Sequence, residues 1–392
     1  MAGTAPRSSQ GTNILAERVE KFRSFTMAHP RLLDARDDLL NAIEASSPGS
    51  LILVLGPTGV GKTTLRRKVE ESLTAKLMPA MEEDPGRLPV LSIEAVAPDN
   101  GNFHWRDHFH RMLAQMREPL IDHKLNACRS GAERAANGRY TGCPRGDATG
   151  YQLQQSFENA IRYRRPAAVI IDEAQHLARM ACGRKLSDQL DVIKSIASRT
   201  QTVQVLIGTY ELLAFRNLSG QLSRRSVDLH FLRYRAEEQA DIEIFQGIVF
   251  TFQAQLPIGS ELDLCGVWDF LYERSLGCVG VLKDWLMRAV ITTVRSGGKD
   301  LTKRVLEKSA LSASQCEKIL AEARDGELRL ADNGAAQTRL RRLLNLDAAE
   351  MTAVRETPGQ PGEKVSARIG RNRPGMRDPK RDPIGQRREA YA

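Results

Sequence analysis

Four short apolar runs punctuate the first 235 residues and are separated by longer segments with helical spacing. The runs are Leu51–Leu55, 90–96, 167–172 and 203–209. Continuous runs of Val, Ile and Leu predict strands buried on both faces, as in a parallel sheet covered by helices. A fifth strand is predicted to end near Phe231. The alternation of strands and helices therefore predicts an α/β fold with a five-stranded parallel sheet flanked by helices.

The segments between the runs indicate where the helices lie. Residues 14–46 have near-helical apolar spacing, interrupted at His29-Pro30. Further helices are predicted at 64–73, 105–116, 151–165 and 186–198. Residues 78–89 contain three prolines and three acidic residues, a composition that predicts a surface loop.

After Ala236 the pattern is helical, with no further strands expected. Helices are predicted at 236–255, 262–274, 281–296, 301–308 and 312–326. The predicted organisation is a disordered N-terminus (1–13), an α/β nucleotide-binding core with N-terminal helices (14–235), a small all-α lid (236–326), a linker with a short helix (327–355) and a disordered basic tail (356–392). The tail lacks large apolar residues, so it cannot offset the entropy of ordering.

The first strand is followed by a glycine loop, Gly56-Pro-Thr-Gly-Val-Gly-Lys62-Thr63. A glycine loop between a buried strand and a helix N-terminus can surround phosphate oxygens with backbone N–H groups. Lys62 is expected to reach the β- and γ-phosphates, and the Thr63 hydroxyl to ligate Mg²⁺. The predicted nucleotide-binding residues are Gly56, Pro57, Thr58, Gly59, Val60, Gly61, Lys62, Thr63 and Thr64.

The third apolar run ends in Asp172-Glu173, and this pair supplies the carboxylates that ATP hydrolysis needs. In a P-loop ATPase the first carboxylate holds Mg²⁺ through water and the second polarises the attacking water. The alternative is a buried strand that happens to end in surface acids. The glycine loop upstream favours the catalytic interpretation, with ATP and Mg²⁺ as cofactors and Glu173 as the hydrolytic base.

Other polar residues extend this hypothesis, each with an alternative. Thr209, at the end of the fourth run, is predicted to contact the γ-phosphate or the water, or else to cap the next helix. Arg224 or Arg225 is predicted to reach the γ-phosphate of a neighbouring subunit, or else to form surface salt bridges. Lys283 is predicted to be a second phosphate sensor, or else a solvated helix lysine.

Composition and charge limit the partners and the compartment. The formal net charge of +9 favours anionic partners, and no apolar run approaches the roughly 18 residues of a transmembrane helix. Six scattered cysteines without a Cys-x-x-Cys pair indicate a reducing compartment, so a cytoplasmic location is expected. A zinc site is conceivable, although the spacings match no ligand framework. Its candidate ligands are His104, His108, His110, His123, Cys128 and Cys143.

Residues 356–392 carry nine basic and five acidic residues, a net of 9 − 5 = +4. Such a segment can bind phosphate backbones without sequence preference or dock on a partner protein.

The order of these motifs resembles that of an AAA+ ATPase over about residues 32–323. More narrowly, the glycine loop, Asp172-Glu-Ala-Gln-His176, Gly208-Thr209 and Gly277-x-x-Gly280-x-Leu-Lys283 look like the TniB/TnsC group of transposition ATPases. The approach to the core ending His-Pro-Arg31 also suits that group.

The resemblance implies a function. A protein of this group assembles on double-stranded DNA with ATP as a ring or helical filament, marks a target site and recruits a transposase, and a target-selector protein can take part. Slow, regulatory hydrolysis then drives disassembly. Loops facing the channel of such assemblies imply DNA contacts near residues 100–105 and at Arg179, Arg184 and Lys185. Gly280 stands where many AAA+ lids carry arginine, which puts the role of the lid in hydrolysis in question.

Two other classes remain as alternatives. A secretion ATPase of the ExeA type has a similar Asp-Glu-Ala-Gln motif, but a transmembrane or peptidoglycan-binding segment is expected with it. A replication initiator or loader is expected to carry a winged-helix module after the lid, where only about residues 328–346 precede the predicted tail.

Overall fold

The computed structural model describes residues 8–97, 103–119, 147–178, 186–216, 226–331 and 334–346. The chain divides into two units, Met1–Ala331 and Asp332–Ala392. In the second unit the described part is dominated by one helix, α14 (Gly334–Leu343). All other elements below belong to the first unit.

The first unit is built on a parallel sheet in the order β2-β3-β4-β1-β5, which confirms the predicted five strands. The strands are β1 (Leu51–Leu55), β2 (Leu91–Glu94), β3 (Ala168–Asp172), β4 (Val203–Gly208) and β5 (Ser226–His230). β1 lies between β4 and β5, and all five of its residues are buried. The glycine loop therefore starts from an interior strand of the sheet.

Helices cover both faces of this sheet. The helices before the lid are α1 (Ser8–Ser24), α2 (Pro30–Ala45), α3 (Lys62–Glu83), α4 (Trp105–Gln115), α5 (Asp147–Arg164), α6 (Gln175–Ala178), α7 (Leu186–Thr200) and α8 (Leu213–Arg216). Because side chains alternate along a strand, Leu51, Leu53 and Leu55 of β1 pack in the core that holds α4, α5 and α7. Ile52 and Val54 face the opposite core, shared with α2 and α3.

The chain after β5 forms the lid. Its helices are α9 (Gln239–Gln255), α10 (Trp268–Ser275), α11 (Val279–Arg295), α12 (Lys303–Ser309) and α13 (Ala313–Leu330). Phe22 of α1 is buried in the lid core beside Phe252. The N-terminal helix thus packs with the lid, whereas the sequence placed it with the α/β core.

The structure departs from the predicted elements at three further places. Helix α3 continues to Glu83 through Pro79, where a loop was expected. Pro79 and Ala75 are exposed, so the carbonyl left without a partner by the proline faces solvent. Helix α1 begins at Ser8, inside the segment expected to be disordered, because a helix propagates more easily than it nucleates. In the lid, β6 (Gly259–Ser260) and β7 (Asp300–Leu301) form a two-residue parallel ladder where no strand was expected.

No helix within the described ranges is long and apolar enough to span a bilayer.

Candidate functional site

A cavity of about 840 Å³ opens at the carboxyl ends of the central strands. Its walls come from the glycine loop, from Glu173 and Gln175 after β3, from residues 209–211 after β4, and from lid helices α11 and α13. Ligands bind at this edge of α/β sheets because the strands deliver loops and helix N-termini there. The structure therefore gathers most of the predicted nucleotide residues at one site.

The glycine loop has a backbone that other residues would not adopt at two positions. Gly59 and Gly61 have φ of +76° and +113°, in the left-handed region. A Cβ on Gly59 would lie 2.4 Å from Val281 Cγ2, so the lid also packs directly on the loop. The Val281 N–H donates to the Gly59 carbonyl at 3.2 Å. The backbone of residues 56–61 therefore forms a concave cradle, and a side chain at Gly59 would clash with the lid.

Lys62 lies within this cradle and is only 6% exposed. Its ammonium donates to the carbonyl oxygens of Gly56 at 3.1 Å and Pro57 at 2.9 Å. Burial lowers the pKa of Lys62, and the carboxylates of Glu173 and Asp172 oppose that shift. The ammonium therefore stands where it can transfer its hydrogen bonds to a phosphate.

Asp172 ends β3 and is 1% exposed. Its Oδ1 accepts the N–H of Glu173 at 2.9 Å, and Arg66 Nε lies 3.6 Å from Oδ2. Burial raises the pKa of Asp172, while this hydrogen bond, Arg66 and the Thr63 hydroxyl act in the opposite direction. A hydroxyl beside a carboxylate is a suitable oxygen donor set for Mg²⁺.

Glu173 lines the cavity and has a φ of +52°. A left-handed backbone at a residue other than glycine costs energy and is often kept at functional sites. The Gln175 amide donates to a carboxylate oxygen of Glu173. Sequence reasoning gave Gln175 no role, although it is the fourth residue of the Asp-Glu-Ala-Gln motif.

Thr209 follows β4 and lines the same cavity. Its Oγ1 is buried and has no hydrogen-bond partner among the residues that the structure describes, and its side chain makes no cap bond to the 3₁₀ helix Tyr210–Leu212. The capping alternative therefore finds no support in this geometry. An unpaired buried hydroxyl facing a cavity fits a polar ligand, because a lone buried donor is costly.

Two lid residues that line the cavity, Lys283 and Gly280, contact different parts of the protein. Lys283 Nζ donates to the carbonyls of Arg23 at 2.9 Å and Phe25 at 2.6 Å, so it ties the end of α1 to the lid. A Cβ on Gly280 would lie 2.5 Å from the Gly59 carbonyl oxygen, which leaves no room for an arginine there.

Helix α13 belongs to the predicted lid, but none of its residues was predicted to line the site. Lys318 and Arg329 line the cavity, and Arg329 pairs with Asp325 on the same helix. The helix packs closely on the residue after Thr209, since a Cβ on Gly326 would lie 2.0 Å from the Tyr210 ring. No sequence motif predicts these contacts, because they depend on the tertiary packing of α13 against the residues that follow β4.

Several predicted residues lie outside the described ranges: Arg179, Arg184, Lys185, Arg224, Arg225 and the tail 356–392. Of the zinc candidates, His123, Cys128 and Cys143 also lie outside them. Among the residues that the structure does describe, no cluster of potential metal ligands is found. His108 is buried among aromatic rings, and burial lowers its pKa to about 4.

The sheet order, the glycine loop and the lid define an α/β P-loop fold of the AAA+ class. In agreement, residues 45–215 match the family model described as AAA domain. Comparison with curated protein sequences finds no match.

The solved structures that are similar to this chain at low identity include the following three. The ORC2 protein of Aeropyrum pernix in ADPNP-ADP complexes is 14% identical, with 75% of this chain and 72% of that chain covered and a TM-score of 0.47. Drosophila ORC bound to DNA is 15% identical, with 79% and 68% covered and a TM-score of 0.42. The ORC1 protein of Aeropyrum pernix in complex with DNA is 19% identical, with 71% and 63% covered and a TM-score of 0.44. The narrower resemblance to TniB/TnsC is not tested by these matches and stays a prediction.

Proposed function

We propose that this chain is a magnesium-dependent ATPase that assembles on double-stranded DNA in its ATP state, marks a target site and recruits a transposase. The observation that carries the nucleotide part is the convergence of Lys62, Thr63, Glu173 and Thr209 on one cavity. The buried Asp172 carboxylate accepts the N–H of Glu173 beside it. Glycine-loop N–H groups and Lys62 would hold the phosphates, and Thr63 and Asp172 would hold Mg²⁺, which supplies charge neutralisation on them.

Each residue around the phosphates has a separate proposed role in hydrolysis. Glu173 presents a carboxylate to the cavity and is suited to take the proton of the attacking water at a carboxylate oxygen. The Thr209 hydroxyl, which has no hydrogen-bond partner in the described part of the chain, is placed to orient that water or a phosphate oxygen. In the assembly, Arg224 or Arg225 of a neighbouring copy would contact the γ-phosphate and stabilise the charge that develops there.

The DNA part of the proposal is supported by charge. The chain carries a formal net charge of +9, to which residues 356–392 contribute +4. Helix α14 adds Arg339, Arg341 and Arg342 within ten residues. Basic segments bind the phosphate backbone without reading sequence, as expected of a protein that loads on varied targets. The transposition part is supported by the motif resemblance alone.

Electron microscopy of the chain with duplex DNA tests the assembly. We expect rings or filaments with a non-hydrolysable ATP analogue and none with ADP. Lys62→Ala removes the ammonium that would donate to the phosphates. It should weaken ATP binding by about 100-fold or more, with loss of assembly, because hydrogen bonds to charged groups contribute about 1.5–3 kcal/mol each. Lys68→Ala, which removes an exposed lysine of the same helix, is the matched control and should assemble normally. Assembly by Lys62→Ala would contradict the mechanism.

A mobilisation assay tests the transposition role separately. A donor plasmid is combined with the transposase encoded nearest to this gene, with and without the chain. We expect insertion to require the chain and its intact Lys62. DNA-bound assembly without any stimulation of insertion would leave the ATPase proposal standing and refute the transposase partner.

A further inference from the structure

A buried amide connects the two loops that face the cavity from neighbouring strands. Gln175 donates through Nε2 to a carboxylate oxygen of Glu173, and its Oε1 accepts the Thr209 N–H at 3.2 Å. The Gln175 side chain is only 5% exposed. The Gln175 amide therefore forms hydrogen bonds through both its nitrogen and its oxygen. The nitrogen bonds to the predicted base, Glu173, and the oxygen bonds to the residue that follows β4.

We propose that Gln175 is a positioning residue that holds the Glu173 carboxylate in one orientation in the cavity and couples it to Thr209. The inference rests on the proposed function, because it assigns a role within the same hydrolytic site. Gln175 is not expected to touch the reacting atoms, and it acts through Glu173.

Glu173 needs such a contact because little else described in the structure restrains its side chain. Its backbone is fixed by the left-handed φ of +52° and by the N–H bond to Asp172 Oδ1. A glutamate still has several freely rotating bonds beyond the backbone, and each must be set before the carboxylate can face the water. A charge-assisted hydrogen bond from a buried amide sets them.

The surroundings of Gln175 suit this role. A Cβ on Gly208 would lie 2.5 Å from Gln175 Oε1, so the glycine before Thr209 makes room for the amide. The turn itself is tied independently, since the Ala174 N–H donates to the Ile207 carbonyl at 2.9 Å. A substitution at Gln175 should therefore alter the orientation of Glu173 while the turn keeps its attachment to β4.

The test compares substitutions at Gln175 by steady-state ATP hydrolysis and by ADP binding. Gln175→Met keeps nearly the same length without either hydrogen bond. We expect kcat to fall about 10- to 100-fold, because a misplaced catalytic group costs about that much. The Kd for ADP should stay within about threefold, since the phosphate cradle is unchanged.

A second substitution separates positioning from packing. Gln175→Glu keeps an acceptor for the Thr209 N–H, and in its ionised form it cannot donate to Glu173. Positioning predicts that kcat at saturating ATP falls as it does in Gln175→Met, whereas a packing role predicts nearly normal turnover. Gln204→Met is the matched control: Gln204 is 2% exposed on β4, bonds to the Thr202 carbonyl and lies outside the cavity.

The outcomes are distinguishable. Lower kcat in both Gln175 variants, with ADP binding and the Gln204→Met control near wild type, supports the inference. Wild-type or higher kcat in Gln175→Met, normal turnover in Gln175→Glu, or loss of ADP binding in either overturns it. A wild-type chain that does not hydrolyse ATP overturns the proposed function, and this inference with it.

Discussion

Removal of the Glu327 carboxylate tests how helix α13 is held over the cavity. Glu327 Oε1 accepts from Arg233 Nε at 3.0 Å, and Oε2 accepts from the second guanidinium nitrogen at 3.4 Å. Arg235 lies 3.6 Å from the same carboxylate. The side chains of Arg233 and Glu327 are 4% and 9% exposed. Glu327→Ala therefore leaves a buried guanidinium without its anionic partner.

The expected loss of unfolding free energy in Glu327→Ala follows from the burial of this ion pair. Breaking a buried ion pair by removing one partner costs about 3–5 kcal/mol, mostly because a buried charge is left uncompensated. Arg233 keeps one long bond to the Leu276 carbonyl at 3.4 Å, so we expect a value near the lower limit, about 3 kcal/mol. For a unit that spans Met1–Ala331, an unfolding entropy of about 2.1 cal/mol/K per residue converts this loss into a fall in Tm of about 4 °C.

Thermal and urea unfolding followed by circular dichroism measure the effect. Glu317→Ala, at an exposed position of the same helix, is the control and should change the free energy of unfolding by less than about 0.5 kcal/mol. Glu327→Gln keeps the shape of the side chain and one hydrogen-bond acceptor. Its loss of unfolding free energy should therefore lie between those of Glu317→Ala and Glu327→Ala. A loss below about 1 kcal/mol for Glu327→Ala would refute the argument that this pair anchors α13.

Three further results are expected. Because the pKa of His108 is about 4 when folded and about 6.5 when unfolded, protonation favours the unfolded chain as pH falls through this range. His108→Phe should therefore reduce the loss of unfolding free energy between pH 7 and pH 5 by up to about 2 kcal/mol, measured by urea unfolding at the two pH values. Glu173→Gln should bind ATP but accumulate long-lived oligomers on DNA, seen by light scattering; unchanged turnover would exclude Glu173 as the base. Deletion of residues 356–392 should lower DNA affinity and flatten its salt dependence in a titration, while an unchanged slope would indicate a protein partner instead.

Local patterns in the sequence were sufficient for much of the fold. The apolar runs predicted β1, β3 and β4 to within one or two residues, because strands buried on both faces leave a continuous apolar signature. The helix boundary at His29-Pro30 was likewise correct, since proline favours the first turn of a helix. The predicted loop at Pro79 was wrong, because the cost of a proline inside a helix depends on whether the affected turn is exposed.

The chain by itself determined that a glycine loop, an Asp-Glu strand end and a Gly-Thr strand end are present, because phosphate and magnesium chemistry demands those residue types at short spacings. Only the tertiary structure decided how they meet. Strand order brings β3 and β4 side by side, so Gln175 can bridge Glu173 and Thr209. The return of α13 across the cavity and the bond of Lys283 to α1 join residues more than a hundred positions apart in sequence, and no local pattern encodes such contacts.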